Sequence, residues 1–204
     1  AYEVSLGLVG SEMCIRDRYS WDVPTFTASI SGGASGTSKL LISGTLFNES
    51  NVTQRAYYNV RPASGNCSGA AFSLEVILNP TPVITTMTTV TCSGVQFVVT
   101  PTNGTNGIVP DGTTYTWLAP QVTATMTGGE SKSGQSSVYG NLLNRTNTVQ
   151  TATYSVIPNI SNCGNGAAFT VIVTVNPTPE IGVLSTVTCS GVPFQVSPVV
   201  SFGG

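Results

Sequence analysis

Cysteine and carboxylate are the side chains in this sequence with the chemistry to act on a substrate or on each other. The 204 residues include five Cys, nine Asp and Glu, and no His. Without His, a Ser–His or Cys–His nucleophile pair is excluded, and so are imidazole metal ligands. Paired carboxylates could hydrolyse a glycosidic bond, and several converging on one point could bind calcium. Cysteines could close disulfides, and four of them, Cys67, Cys92, Cys163 and Cys189, recur in a fixed frame.

That frame is a tandem repeat, and it tests the carboxylates internally. Asn162-Cys163, Ala167-Ala168-Phe169, Asn176-Pro177-Thr178-Pro179 and Thr188-Cys189-Ser190-Gly191-Val192 restate an earlier stretch. There they stand as Asn66-Cys67, Ala70-Ala71-Phe72, Asn79-Pro80-Thr81-Pro82 and Thr91-Cys92-Ser93-Gly94-Val95. Asp22 is matched by Leu118, Glu49 by Arg145, Glu75 by Ile172, Glu130 by Ala34 and Glu180 by Val83, while Asp111 has no counterpart. No acidic position recurs, so the carboxylates read as solvated surface charge. No catalytic residue, metal site or cofactor is expected. Asn-x-Ser/Thr triplets at Asn48, Asn51, Asn66, Asn103, Asn144 and Asn159 read as chance in a chain this rich in Asn, Ser and Thr.

The elements that carry the frame are strands. Ala56-Tyr57-Tyr58-Asn59-Val60 aligns with Ala152-Thr153-Tyr154-Ser155-Val156: every second residue is constant and those between vary. Period two with one constant face marks a strand and its core side. Phe72, Leu74, Val76 and Leu78 match Phe169, Val171, Val173 and Val175 in the same way. Tyr19-Ser20-Trp21 matches Tyr115-Thr116-Trp117, a half-buried strand with its Trp turned inward. After each Asn-Pro-Thr-Pro a new strand is expected from the Cys onward, through Val95, Phe97 and Val99 and again through Val192, Phe194 and Val196. The predicted core is Trp21, Tyr58 and Phe72 in one copy. In the next it is Phe97, Trp117, Tyr154, Val156, Phe169, Val171 and Val173. No segment has helical periodicity. A repeat of this length is the size of one β-sandwich, and the fold class is all-β: tandem immunoglobulin-like sandwiches.

The paired prolines of Asn-Pro-Thr-Pro cannot sit in a central strand and make semi-rigid joints. They divide the chain into 19–82, a partial domain without its first strands; 83–179, a complete one; and 180–204, the first strand of a third. Residues 1–18 are set apart. Leu8 to Arg18 matches, over all eleven positions, the translation of a transposase-type sequencing adapter and is expected to lie outside the fold. Cys14 falls inside it. The formal net charge of −2 offers no field for nucleic acid or an anionic membrane. No apolar run approaches the roughly 18–20 residues that span a bilayer.

In order and spacing, Tyr-x-Trp, Tyr-x-Val-x-Pro, Asn-Cys, Ala-Ala-Phe, Asn-Pro-x-Pro and Cys-Ser-Gly-Val resemble the PKD-like repeats of large secreted and surface proteins of Bacteroidota. The resemblance covers everything after Arg18. It implies an extracellular or cell-surface setting, no catalytic residues, and a spacer or adhesion stalk whose partners are neighbouring repeats, with surface glycans or matrix as further ones. Two alternatives stand beside it. One is a carbohydrate-binding module using Phe26, Phe47, Tyr57 or Tyr139. The other is the spacer array of a hydrolase whose catalytic domain lies elsewhere. Within such a sandwich the first strand starts at the end where the loop between the last two strands lies. With Cys92 opening that strand and Cys163 in that loop, a Cys92–Cys163 disulfide is expected, leaving Cys67 and Cys189 unpaired.

Overall fold

The computed structural model describes residues 17–202, Ala124 excepted. Every regular element among the described residues is a strand. The chain divides into two compact units, Ala1–Glu49 with Thr53–Leu78, and Ser50–Val52 with Asn79–Gly204.

The first unit is built on four strands, β1 (Arg18–Trp21), β2 (Gly36–Lys39), β3 (Gln54–Ser64) and β4 (Phe72–Leu78). They form one antiparallel sheet in the order β4-β3-β1-β2. In β3 the alternation seen in the sequence is physical: Ala56, Tyr58 and Val60 are buried, and the residues between them face solvent. Arg18, placed outside the fold by the adapter reading, belongs to β1. It pairs with Ala63 and its guanidinium donates to the Ser38 carbonyl. The pairing is backbone-driven, so it accepts any residue that extends the strand by one position. Residues 8–16 lie outside the described residues.

The second unit holds a two-layer sandwich. Its strands are β5 (Met87–Cys92), β6 (Phe97–Val99), β7 (Thr114–Trp117), β8 (Lys132–Gln135), β9 (Val138–Gly140), β10 (Gln150–Ile160) and β11 (Phe169–Asn176). The large sheet runs β5-β11-β10-β7-β8. All its neighbours are antiparallel except β5 and β11, which run parallel from Met87 opposite Val171 to Cys92 opposite Asn176. The facing layer is the β6–β9 pair together with Thr127–Gly128 on Leu142–Leu143. Phe97, Val99, Met126, Val138 and Leu142 from that layer pack onto Trp117, Tyr154, Phe169 and the buried valines of β11. This is the immunoglobulin-like sandwich, its core closed from both sides.

Two strand expectations change. The first strand of the repeat ends at Cys92 and does not begin there. Its Met87, Thr89 and Thr91 are half-buried while the residues between are exposed, a period-two face made mostly of threonine. The corresponding strand of a third domain does not form. Residues 182–199 make no regular pairing and are exposed, and around them β12 (Pro179–Ile181) pairs antiparallel with β13 (Val200–Phe202). The reason lies in the topology: β5 is held by β11 and β6 by β9. Among the described residues nothing after Cys189 plays either part.

Candidate functional site

The internal frame holds most of the recurring residues. Trp117 lies between the layers, 2% exposed, and its indole N–H donates to the Glu130 carbonyl 3.2 Å away. Trp21 donates to the Ala34 carbonyl at 2.9 Å in the same arrangement. The acceptor is backbone, so Glu130 is free to be Ala in the other copy. Phe97 packs against Tyr154 with ring centroids 5.5 Å apart, and Tyr115 meets Phe169 edge-on at 6.0 Å. Burial pushes the Tyr154 and Tyr115 phenols up to about 12, since ionising there would strand a charge in an apolar core. Among the described residues the Tyr154 hydroxyl has no hydrogen-bond partner.

Of the ten core residues named from sequence, Trp21, Tyr58, Phe97, Trp117, Tyr154, Val156, Phe169, Val171 and Val173 are buried. Phe72 is not: it is 43% exposed, against 5% for its counterpart Phe169. In the first unit no described strand plays the part of β5 or β6, so its buried cluster contracts to Trp21, Tyr58 and Val60.

Asn144 was overlooked as a structural residue and is 1% exposed. Its amide donates to the carbonyls of Thr148 and Val175, its carbonyl accepts from Thr146, and its backbone N–H donates to the Ser93 hydroxyl. The Ser93 hydroxyl donates back to the backbone carbonyl of Asn144. The Asn144 side chain thereby ties the loop before β10 to the end of β11, and its backbone adds the Cys-Ser-Gly turn after β5. Asn48 repeats one of these bonds, donating to the Leu78 carbonyl. The recurrence of Asn48 and Asn144 at the head of a polar turn was the available signal.

The titratable residues do not assemble. Among the described residues no group of three His, Cys, Asp or Glu is placed to hold a metal. Glu75 pairs with Arg55 and accepts from the Tyr57 hydroxyl at 3.1 Å on the exposed face of β3 and β4. The Arg55 hydrogen bond holds the Glu75 carboxyl below its usual range. The second repeat places Thr151, Thr153 and Ile172 there, so the trio is not part of the shared frame.

The cysteines require a correction. Cys67, Cys92, Cys163 and Cys189 are all exposed free thiols. Cys92 lies beside Asn176 at the far end of β11, whereas Cys163 sits in the turn between β10 and the strand residues Gly164–Asn165. The ends of β11 are separated by about 23 Å at 3.3 Å per residue, far beyond the roughly 4.4–6.8 Å Cα separation of a disulfide. The first strand does start at the loop end, as the sandwich topology requires, but Met87 is there and Cys92 is not.

The aromatics weighed as a sugar platform are divided. Phe26 and Tyr57 are on the β3 sheet, Phe47 is on a separate pair with Ile30–Gly32, and Tyr139 is edge-on to Trp117. Tyr139 lines a cleft of about 410 Å³ with Gln96, Glu130, Lys132 and Asn141, and Lys132 stands 5.3 Å over its ring.

The family model for the PKD-like domain matches residues 9–82 and 89–179. No curated protein and no solved structure matches the chain. The matched segments cover both repeats, the first from residue 9, inside the Leu8 to Arg18 segment expected to lie outside the fold, and the second from residue 89; every regular element among the described residues is a strand, and the second unit has its core between two layers. This chain belongs to the PKD-like domain family.

Proposed function

We propose that the chain is a non-catalytic, load-bearing spacer within a secreted or surface-attached array, holding a functional tip away from its anchor. One observation carries this reading: β5, near the start of the second repeat, and β11, near its end, pair in parallel over six residues, Met87 to Cys92 against Val171 to Asn176. Tension entering before Met87 and leaving after Asn176 pulls the two strands in opposite directions along their length. The ladder bonds are then loaded together in shear and cannot open one at a time. In β3 and β10 the shared Ala, Tyr and Val are the buried residues, and the outward residues between them differ between the copies, as a scaffold without a common ligand requires.

Single-molecule pulling on the full chain tests it. The second repeat should unfold in one high-force event. Thr89→Pro, which distorts the ladder, should lower that force sharply while the fold persists. An unchanged unfolding force would remove the mechanical reading. The cleft beside Tyr139 favours a second reading, glycan binding, because it joins an aromatic face to Lys132, Glu130 and Asn141. A glycan array probed with the full chain should stay blank; binding abolished by Tyr139→Ala would put the glycan reading first.

A further inference from the structure

Asn-Pro-Thr-Pro and Cys-Ser-Gly are motifs of the repeat that the shear pair leaves unexplained, and the second unit ties one to the other. β11 runs out into Asn176-Pro177-Thr178-Pro179, and β5 runs out into Cys92-Ser93-Gly94. The two motifs therefore leave the ladder side by side, after its last rung of Cys92 opposite Asn176. Ser93 stands just past that rung. Its backbone N–H donates to the Asn176 carbonyl at 2.8 Å, and its own carbonyl accepts from the Thr178 hydroxyl at 3.1 Å.

Ser93 is a fixed post. It is buried, and its hydroxyl accepts from the Asn144 backbone N–H at 2.9 Å and donates to the Asn144 carbonyl at 3.3 Å. Thr178, by contrast, is exposed. Pro177 and Pro179 on either side of it have a fixed φ and no N–H to donate. The bond from this stretch to the Ser93 carbonyl is made by the Thr178 side chain.

We infer, resting on the load-bearing reading, that Thr178 is a latch that keeps the departing chain in line with β11, so that tension reaches the β5–β11 ladder as shear. Without it the chain is free to swing out at Asn176. A pull at an angle then opens the ladder from Cys92 and Asn176 backwards, one rung at a time. With Thr178 held on Ser93, two residues past the last rung, the pull stays along the strand and the rungs bear it together. At the opposite end of the ladder the backbone does this alignment. Val83 and Ile84 pair antiparallel with Ile108 and Gly107, and the Thr85 N–H donates to the Asn106 carbonyl at 2.9 Å. Thr178 is thus a positioning residue. It adds little to equilibrium stability, because an exposed hydroxyl exchanges its bond for one to water.

Single-molecule pulling of the full chain by its two ends, set beside urea unfolding, tests this, with the second repeat's event identified by its contour length. Thr178→Val keeps the shape of the side chain and removes the donor. It should lower the unfolding force of the second repeat and leave its urea midpoint close to wild type. Thr123→Val is the control. The Thr123 hydroxyl donates to Gln150 at 2.7 Å and accepts from the Thr151 N–H at 2.9 Å, on the side of β10 away from β11. This substitution should lower the urea midpoint at least as much as Thr178→Val and leave the force at the wild-type value. A high force shared by wild type and Thr178→Val overturns the latch and keeps the load-bearing reading. Equal losses of force in Thr178→Val and Thr123→Val also overturn the latch, because the hydroxyl then acts through stability alone. A wild-type second repeat that gives way at low force removes the load-bearing reading and the latch with it.

Discussion

At the scale of single residues, the two copies separate frame from decoration. Trp117 is the largest fully buried side chain among the described residues of the second unit, and truncating it should be among the most damaging changes there. Trp117→Ala should cost about 3–5 kcal/mol, read from the urea midpoint with the slope unchanged. Tyr154 is expected to behave differently. Its hydroxyl is buried without a partner among the described residues, and an unsatisfied buried polar group costs roughly 1–3 kcal/mol. Tyr154→Phe should therefore leave the thermal midpoint equal or raise it, as differential scanning calorimetry would record. The same burial sets a pH dependence. The folded-state phenols of Tyr115 and Tyr154 lie at about 12, above the ordinary value near 10. Their stabilising contribution is whole below about pH 10 and is lost as pH rises toward 12, because the unfolded chain releases those protons first. Stability measured between pH 7 and pH 9 should show no loss from them, and the decline should begin above that range.

At the scale of elements, the parallel pair β5–β11 determines where the cysteines go. Because β5 runs alongside β11 from its loop end, Cys92 is delivered to the opposite end from Cys163. Non-reducing peptide mapping of the oxidised chain should show no Cys92–Cys163 crosslink. Such a crosslink would mean that β5 is misplaced by most of its length. The Asn144 network makes a second element-scale expectation. Asn144→Ala leaves the Thr148 and Val175 carbonyls without that donor and Thr146 without that acceptor, while the backbone bonds to Ser93 remain. A loss of about 2 kcal/mol or more follows from the orphaned buried groups, to be checked by urea unfolding.

At the scale of the whole molecule, the two units differ in what they bury. The second closes its core with residues from both layers, whereas the first has Trp21, Tyr58 and Val60 as its buried cluster. Stability follows apolar burial, so unfolding in urea should occur in two transitions, the first unit melting before the second. The chain has two tryptophans, one in each unit. Trp21→Phe leaves Trp117 to report the second transition, and Trp117→Phe leaves Trp21 to report the first. Coincident transitions would show that the units unfold together.

Much of this was legible from the sequence alone, because a chain that repeats itself displays its own constraints. The constant alternate residues of β3 and β10 identify strands and their buried faces, and Trp21 with Trp117 marks the centre of each core. The absence of a shared acidic position removes a common catalytic pair. These are local or pairwise regularities, and period two is set by the pleat of a single strand. What only the tertiary structure decided concerns partners distant in the chain. Phe72 and Phe169 stand at the same place in the repeat, yet among the described residues only Phe169 has the facing strands that bury it. Met87–Cys92 and Leu184–Cys189 are nearly the same sequence, yet only the first has β11 beside it and becomes a strand. A strand is completed by hydrogen bonds to a neighbour, and the identity of that neighbour is not written in the strand.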